Sequence, residues 1–327
     1  MKSILFASAL NTTFGQRDYE ILIKHFNVYR VISPGFKGLI KMLRCLPNVR
    51  VSFIWFASIH AGVIVFLSKL IGKKTIIALG GFDASKNKVI GYGIWNSWWR
   101  ALIVGYAIRN ADFVLAPSNG LKESAIQLSK CNSNKIEVME FNYDVNFWKP
   151  GSNKKEKSVI TVALLDSELR IKVKGIDLFI EAAKLLPDIK FKIVGVSSNF
   201  INILKERIPS NIELILAVPH KDLLRFYQRA KVYCQPSRID SLPITLREAM
   251  LCGCVPVGTK VGGIPAAIGN TGWLLDVGDV DGLTRAINRA LNSDEKAGIT
   301  CRNQIIKITS SINREKRLIE IIKKCQR

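Results

Sequence analysis

Short apolar runs alternate with stretches of helical spacing along the whole chain. Runs at 3–7, 49–56, 74–79, 112–116 and 135–139, then at 158–163, 190–194, 211–216, 231–235, 254–257 and 272–275, read as β-strands. Between them, Ile176, Phe179, Ile180 and Ala183 share one helical face, and Leu223, Phe226, Tyr227 and Ala230 another. Strands that are apolar throughout, instead of alternating, are covered on both faces, which is the habit of parallel sheets with helices on either side. The series pauses at residues 149–157 (KPGSNKKEK), where turn formers meet a charge run, and this reads as an inter-domain linker. The predicted fold is α/β: two doubly wound Rossmann-like domains facing a cleft, residues 1–150 and 151–309. A C-terminal helix at about 310–327 is expected to pack back on the first domain. Ligands of such sheets bind beyond the carboxyl ends of the strands.

Residues 51–68 contain no Lys, Arg, Asp or Glu, at the lower edge for a spanning helix. Their front half is strand-like and His60, Gly62 and three serines interrupt the rest, so strand, turn and buried helix is the expectation. Met1-Lys2 followed by residues 3–10 has the outline of a signal peptide. Its apolar stretch is too short and a polar helical run follows at once, so a first strand fits better.

Composition changes the picture in one respect. The 327 residues hold 48 Lys+Arg against 26 Asp+Glu, a formal charge of +22, shared by both halves of the chain. Such an excess points to an anionic partner: nucleic acid, a phosphorylated small molecule or an acidic membrane surface. Against a nucleic-acid or polyanion-binding protein, no recognised module appears, and aromatic residues are not interleaved with basic ones as a stacking platform would need. The seven scattered cysteines, without zinc-like spacing, read as free buried thiols in a reducing cytoplasm.

The most informative stretch is residues 234–250 (CQPSRIDSLPITLREAM). A strand ends near Gln235, a loop follows, and Pro243 stands where a helix begins, a position at which its missing N–H loses nothing. Free amides and the positive end of the helix dipole then form an anion site, with the amides of Leu242 and Ile244 available. Asp240 precedes that turn and Glu248 lies about one turn inside the helix. Two carboxylates beside a phosphate-type site suit a ligand carrying both phosphate and hydroxyls. Alone, they read equally as a surface aspartate and a helix-face glutamate.

Asp240-x7-Glu248, followed by CGCVPV at 252–257, resembles the Glu-x7-Glu signature of retaining glycosyltransferase family 4, which has the GT-B fold. RIKVKG at 170–175 is similar to that family's donor-phosphate loop, and DIKFKIVG at 188–195, VGGIP at 261–265 and TGWLL at 271–275 match its further motifs. The likeness is ordered over residues 158–292 and weaker over 76–150, where it rests on GGFD at 80–83, ADFVLAPS at 111–118 and FNYDVNFWKP at 141–150. Before residue 75 only the fold pattern agrees. The resemblance implies a nucleoside-diphosphate-sugar donor in the second domain and a glycan or lipid-linked acceptor in the first. It assigns Arg170 and Lys174 to the donor diphosphate, Glu248 to the ribose hydroxyls and Asp240 to the donor sugar, with Ser241, Leu242, Ile244 and Gly195 lining the donor. No metal and no cofactor are expected, because fixed positive groups would stabilise the leaving diphosphate. Three positions depart from the pattern: Asp240 is one methylene shorter than glutamate, Pro243 replaces the glycine before the helix, and Ala266 stands where an acid is common.

Asp83 follows a strand in GGFD, and either contacts the sugar or acceptor or forms an Asx-type turn. His60, also beyond a strand, is a further candidate contact, although His25, His60 and His220 are far apart and read as structural. Asp279-Val-Asp281 looks like a metal-binding Asp-x-Asp, but it follows Gly278 and opens a helix, so capping is the better reading. Gly195 has no Gly-x-x-Gly after it, so the dinucleotide fingerprint is missing. Four of the six tryptophans, Trp55, Trp95, Trp98 and Trp99, fall close together in the first domain, the last beside Arg100. With the positive charge they point to a cytoplasmic protein held peripherally at an anionic membrane surface.

Overall fold

The computed structural model describes residues 3–310 and 312–326. Met1-Lys2 of the leader-like start, and residues 311 and 327 of the expected C-terminal helix, lie outside the described residues. The chain divides into two compact units, Met1–Asn142 with Ile312–Arg327, and Tyr143–Ser311.

The first unit holds β1 (Ser3–Ser8), β2 (Asn27–Ile32), β3 (Val51–Trp55), β4 (Lys74–Ala78), β5 (Phe113–Ala116) and β6 (Ile136–Val138), all parallel, in the order β2-β1-β3-β4-β5-β6. Leu5, Ala7, Ile54 and Ile77 face one buried layer. On β1 and β3 the alternate Phe6 and Phe53 stack on each other at 5.9 Å, with Tyr19 against Phe6. Both faces are covered, as the unbroken apolar strands required. β2 escaped the sequence reading: it is an edge strand with no fully buried residue, and its Tyr29 and Arg30 are exposed. The uncharged segment 51–68 divides into β3 and the buried front of a helix at Ile59–Leu70. Among the described residues no helix is long and apolar enough to cross a membrane.

The second unit holds β7 (Glu156–Leu165), β8 (Lys190–Val196), β9 (Ile212–Leu216), β10 (Ala230–Gln235), β11 (Val255–Thr259) and β12 (Trp273–Leu275), again parallel, in the order β12-β11-β10-β7-β8-β9. Neighbouring residues serve opposite faces: Val159, Ile193 and Val232 enter one core, and Ile160, Val194 and Tyr233 the other. Counted from its own first strand, the order is the 3-2-1-4-5-6 of a Rossmann sheet.

The unit boundary falls before Tyr143, ahead of the expected linker. Tyr143 and Trp148 are buried in the second core. Lys155 donates to the carbonyls of Tyr227 and Ala230 at 2.6 and 3.0 Å, which places 149–157 inside the second unit. The helix Arg314–Gln326 belongs to the first unit. Its Arg314 grips buried Asp18 through two 2.7 Å hydrogen bonds, donates to the Met139 carbonyl at 2.6 Å and lies 4.2 Å over the Phe141 ring. A buried ion pair persists only when its donors and lone pairs are met in this way. Of the clustered tryptophans, Trp55 and Trp95 are buried, the Trp95 indole donating to the Asp83 carbonyl at 2.8 Å, while Trp98 and Trp99 are exposed. The cysteines are free, Cys45 half-buried and the rest buried.

Candidate active site

A doubly wound sheet binds its ligand where the strand order reverses, because the loops on either side of that point diverge and leave a crevice. In the second unit this is between β7 and β10. The loop after β7 carries the short helix Glu168–Lys174, ended by Gly175 at φ +65°. A Cβ on Gly175 would lie 1.8 Å from the Pro236 carbonyl oxygen, so glycine is what allows the two loops to touch. They are knitted together by the Arg238 amide on the Val173 carbonyl (2.9 Å) and by a bidentate Arg238–Asp177 pair (2.6 and 2.7 Å).

That contact brings Lys174 to Asp240, Nζ to Oδ2 at 2.8 Å. The same oxygen accepts from Gln235 Nε2 at 2.9 Å and Ser237 Oγ at 3.3 Å. Buried Tyr233 has its hydroxyl within 3.0 Å of Gln235 Oε1 and 2.7 Å of Thr245 Oγ1, and burial pushes its ionisation far above the ordinary range. A polar chain thus runs from the strand interior to the loop. Gly262, at φ +52°, approaches the Asp240 carbonyl so closely that a Cβ would stand 1.4 Å from it. Ser241 and Leu242, which follow, are half-buried.

Pro243 is the N-cap of the helix Ile244–Leu251 at φ −81°, ψ 79°, an inverse γ-turn that lets the Ile244 amide donate to the Leu242 carbonyl at 2.9 Å. The Ile244 amide, expected to be free for phosphate, is therefore already engaged. The cause is the ψ of Pro243: at 79° instead of a helical value, it turns the Ile244 N–H back onto Leu242. Further along, Glu248 is fully buried, and both its oxygens accept from His220 Nε2, at 2.9 and 3.0 Å. His220 lies in a 3-10 turn after β9 and meets the Trp148 ring edge-on at 5.2 Å. Sequence reasoning set His220 aside as structural. It is 28 residues from Glu248, and only the β9–β10 crossover makes them neighbours.

The remaining candidates separate. Arg170 is exposed, its Nε 3.9 Å from Asp166, one helical turn from Lys174 and outside the Asp240 network. Gly195 is buried in β8 at φ +110°, and a Cβ there would sit 2.4 Å from the Ala163 carbonyl oxygen, so the position is glycine because β7 crowds it. In the first unit, the Asp83 carboxylate is buried and accepts from the amides of Ala57 (3.0 Å), Gly80 (3.1 Å) and Gly81 (2.8 Å). Burial raises its pKa and the three amides oppose that shift. This is the turn-forming reading, with the side chain turned inward. His60 donates from Nε2 to the Gly35 carbonyl at 2.9 Å, joining the starts of two helices. Asp279 caps its helix, accepting from the Gly282 amide at 2.7 Å. The second crevice therefore offers one cation held by a carboxylate, a carboxylate held by a histidine, and polar side chains between them. That set can neutralise a phosphate and accept from hydroxyls.

The family model for glycosyl transferases group 1 matches residues 142–307, half of the chain. A phosphatidylinositol N-acetylglucosaminyltransferase subunit from Arabidopsis thaliana is 24% identical over 58% of this chain and 44% of its own. N-acetyl-alpha-D-glucosaminyl L-malate synthase from Bacillus anthracis is 27% identical over 85% of this chain and 75% of its own. The chain thus spans less than half the length of the first of these relatives. Anabaena HepE, solved in complex with UDP and glucose, superposes with a TM-score of 0.78 at 15% identity, covering 99% of both chains, which establishes a shared fold.

Proposed function

The chain belongs to the glycosyl transferases group 1 family, and from that premise we propose that it moves a sugar from a nucleoside-diphosphate sugar to a glycan or lipid-linked acceptor with retention of configuration at the anomeric carbon. The observation that carries this reading is that the segment after β10, at the switch point of the second sheet, presents two carboxylates with fixed partners: Asp240, paired with Lys174 from the loop after β7, and Glu248, paired with His220. In this proposal Lys174 turns protons not used on Asp240 to the diphosphate, and Arg170 swings in from solvent beside it. As the glycosidic bond breaks, negative charge grows on the departing phosphate oxygen. A fixed ammonium stabilises that charge more in the transition state than in the ground state. With positive charge supplied by side chains, no metal is required.

Glu248 is assigned to the ribose hydroxyls, its orientation fixed by His220. Asp240, held by Gln235 and Ser237 as well as by Lys174, is assigned to the donor sugar. Ser241 and Leu242 flank it, with the remaining first-turn amides of the helix beyond Pro243 as the phosphate cradle. HepE was solved with UDP and glucose, so uridine-diphosphate sugars are the first donors to try. Release of the nucleoside diphosphate from a panel of nucleotide sugars, with and without glycan and lipid-linked acceptors, tests the reading. Turnover of one donor with retained anomeric configuration in the product supports it. No hydrolysis or transfer from any donor overturns it.

A further inference from the structure

Two helices of the first unit, Ile59–Leu70 and Trp98–Asn110, lie side by side and run the same way. Gly62 makes this possible: a Cβ there would stand 2.4 Å from Ile103 Cγ2. One turn on, Phe66 and Tyr106 meet at 6.3 Å, and at the far end Lys69 donates to Asn110 at 2.9 Å. The outer surface of the pair carries large apolar side chains beside the exposed Lys69, Arg100 and Arg109. Trp98 is 76% exposed, Leu102 63% and Leu70 67%, with Phe66, Trp99 and Ile71 also open to solvent. Scattered exposed apolar residues are ordinary, but Phe66 with Leu70 and Trp98 with Leu102, each pair one turn apart on two packed helices, mark an interaction surface.

The charges around the row identify the partner. Residues 59–111 contain seven Lys and Arg and one acid, Asp83, which is buried. At the Leu70–Ile71 end a cavity of about 350 Å³ is lined by Lys69, Lys73, Lys74 and Lys135, with Asp112 the one acid in its wall. Lys74 is held by Asp112 at 2.8 Å, and Lys69 and Lys135 rest on Asn110 and the Arg109 carbonyl, at 2.9 Å each. An ammonium has three protons, so each retains donors for a phosphate. Residues 69–73 place this basic cavity immediately beside the Leu70–Ile71 end of the apolar row.

We propose that the apolar face of these two helices docks on an anionic lipid surface, with the lysine cavity at its end taking a lipid headgroup phosphate. Tryptophans and basic stems suit the headgroup layer, and aliphatic side chains enter the acyl boundary. A second copy packed face to face would set the same cations against each other. Nucleic acid would leave the leucines and Phe66 without an apolar partner.

Flotation with mixed phosphatidylglycerol–phosphatidylcholine vesicles tests this, and needs no nucleotide sugar, so it succeeds or fails independently of the transferase reading. The protein should float at low salt and be released at high salt, and should not float with phosphatidylcholine alone. Leu102→Glu should lower partitioning at least tenfold and Lys73→Ala about fivefold. Leu185→Glu, the same substitution at an exposed leucine of the second unit, should leave it unchanged. Should Leu102→Glu misfold by circular dichroism, Trp98→Gln reads the same face. Failure to float at low salt overturns the proposal, as do equal losses for Leu102→Glu and Leu185→Glu. A concentration-dependent dimer abolished by Leu102→Glu, without vesicle binding, overturns it by assigning the face to a second copy.

Discussion

Both sheets reverse their strand order once, between β1 and β3 in the first unit and between β7 and β10 in the second, and the two reversal points have opposite chemistry. In the second unit the loops beyond the strands carry Lys174, Asp240 and Gln235 in one hydrogen-bonded chain. In the first unit the corresponding edge is a floor of aromatic rings: Phe14, Trp55, Phe56 and Phe141 lie within 6.2 Å of one another by successive contacts. Phe56 takes φ +71° there, and its ring occupies the space above Gly80, where a Cβ would come within 2.3 Å. Asp83, in the loop after β4, faces inward to three amides. A common topology therefore supplies a crevice, and the side chains placed in it decide whether it recognises charge.

The sharpest way to break this comparison is to damage one unit and read the other. Arg314→Met leaves Asp18 buried without its cation, and breaking one side of a buried pair costs about 3–5 kcal/mol. Calorimetry should show that loss in the transition of the first unit, while binding of the donor nucleotide below that transition persists. Loss of nucleotide binding in the still-folded protein would show that the donor site does not reside in the second unit alone.

Next in size is Lys174→Ala. If its ammonium acts on the departing diphosphate, kcat falls by about tenfold to a hundredfold, beyond any change in KM. Lys174 also holds Asp240, so Lys174→Arg, which keeps the charge and the pair, should recover part of the rate. A change confined to KM would reduce Lys174 to a uniform binding contact.

Much of the second unit was legible because its motifs are local. Asp240 and Glu248 sit on one loop and one helix, and the glycines at 175 and 262 are where loops approach within contact distance. What escaped depends on distance along the chain or on exposure. β2 lacks a buried face, so its apolar signal is faint. The Glu248–His220 pair is created by a crossover, and no spacing announces it. The unit boundary was misplaced because turn formers at 149–157 look like a linker, whereas the aromatic residues at 143 and 148 anchor the preceding segment in the second core. Trp55 and Trp95 look alike in sequence to Trp98 and Trp99, and only packing separates the buried pair from the exposed one.

Glu248→Gln keeps the volume and removes the charge that His220 and two ribose hydroxyls would share. Hydrogen bonds to a charged group contribute about 1.5–3 kcal/mol, so donor affinity by titration calorimetry should fall at least tenfold with kcat less affected. An unchanged affinity would leave Glu248 as a buried partner for His220 and remove it from the donor site.

The smallest effect belongs to Asp279, and it sharpens the comparison by testing where charge is handled. Its carboxylate accepts from the Gly282 amide at 2.7 Å, as an N-cap does. Losing such a cap costs about 1 kcal/mol, so Asp279→Ala should lower the melting temperature by a few degrees in a unit of this size. If Lys174 and Arg170 supply the positive charge for the diphosphate, as proposed, transfer activity should survive EDTA in both the parent and the variant. Activity abolished by EDTA, restored by manganese in the parent and lost in Asp279→Ala, would move the charge-handling centre to Asp279 and Asp281, and the polar crevice between β7 and β10 would no longer explain catalysis.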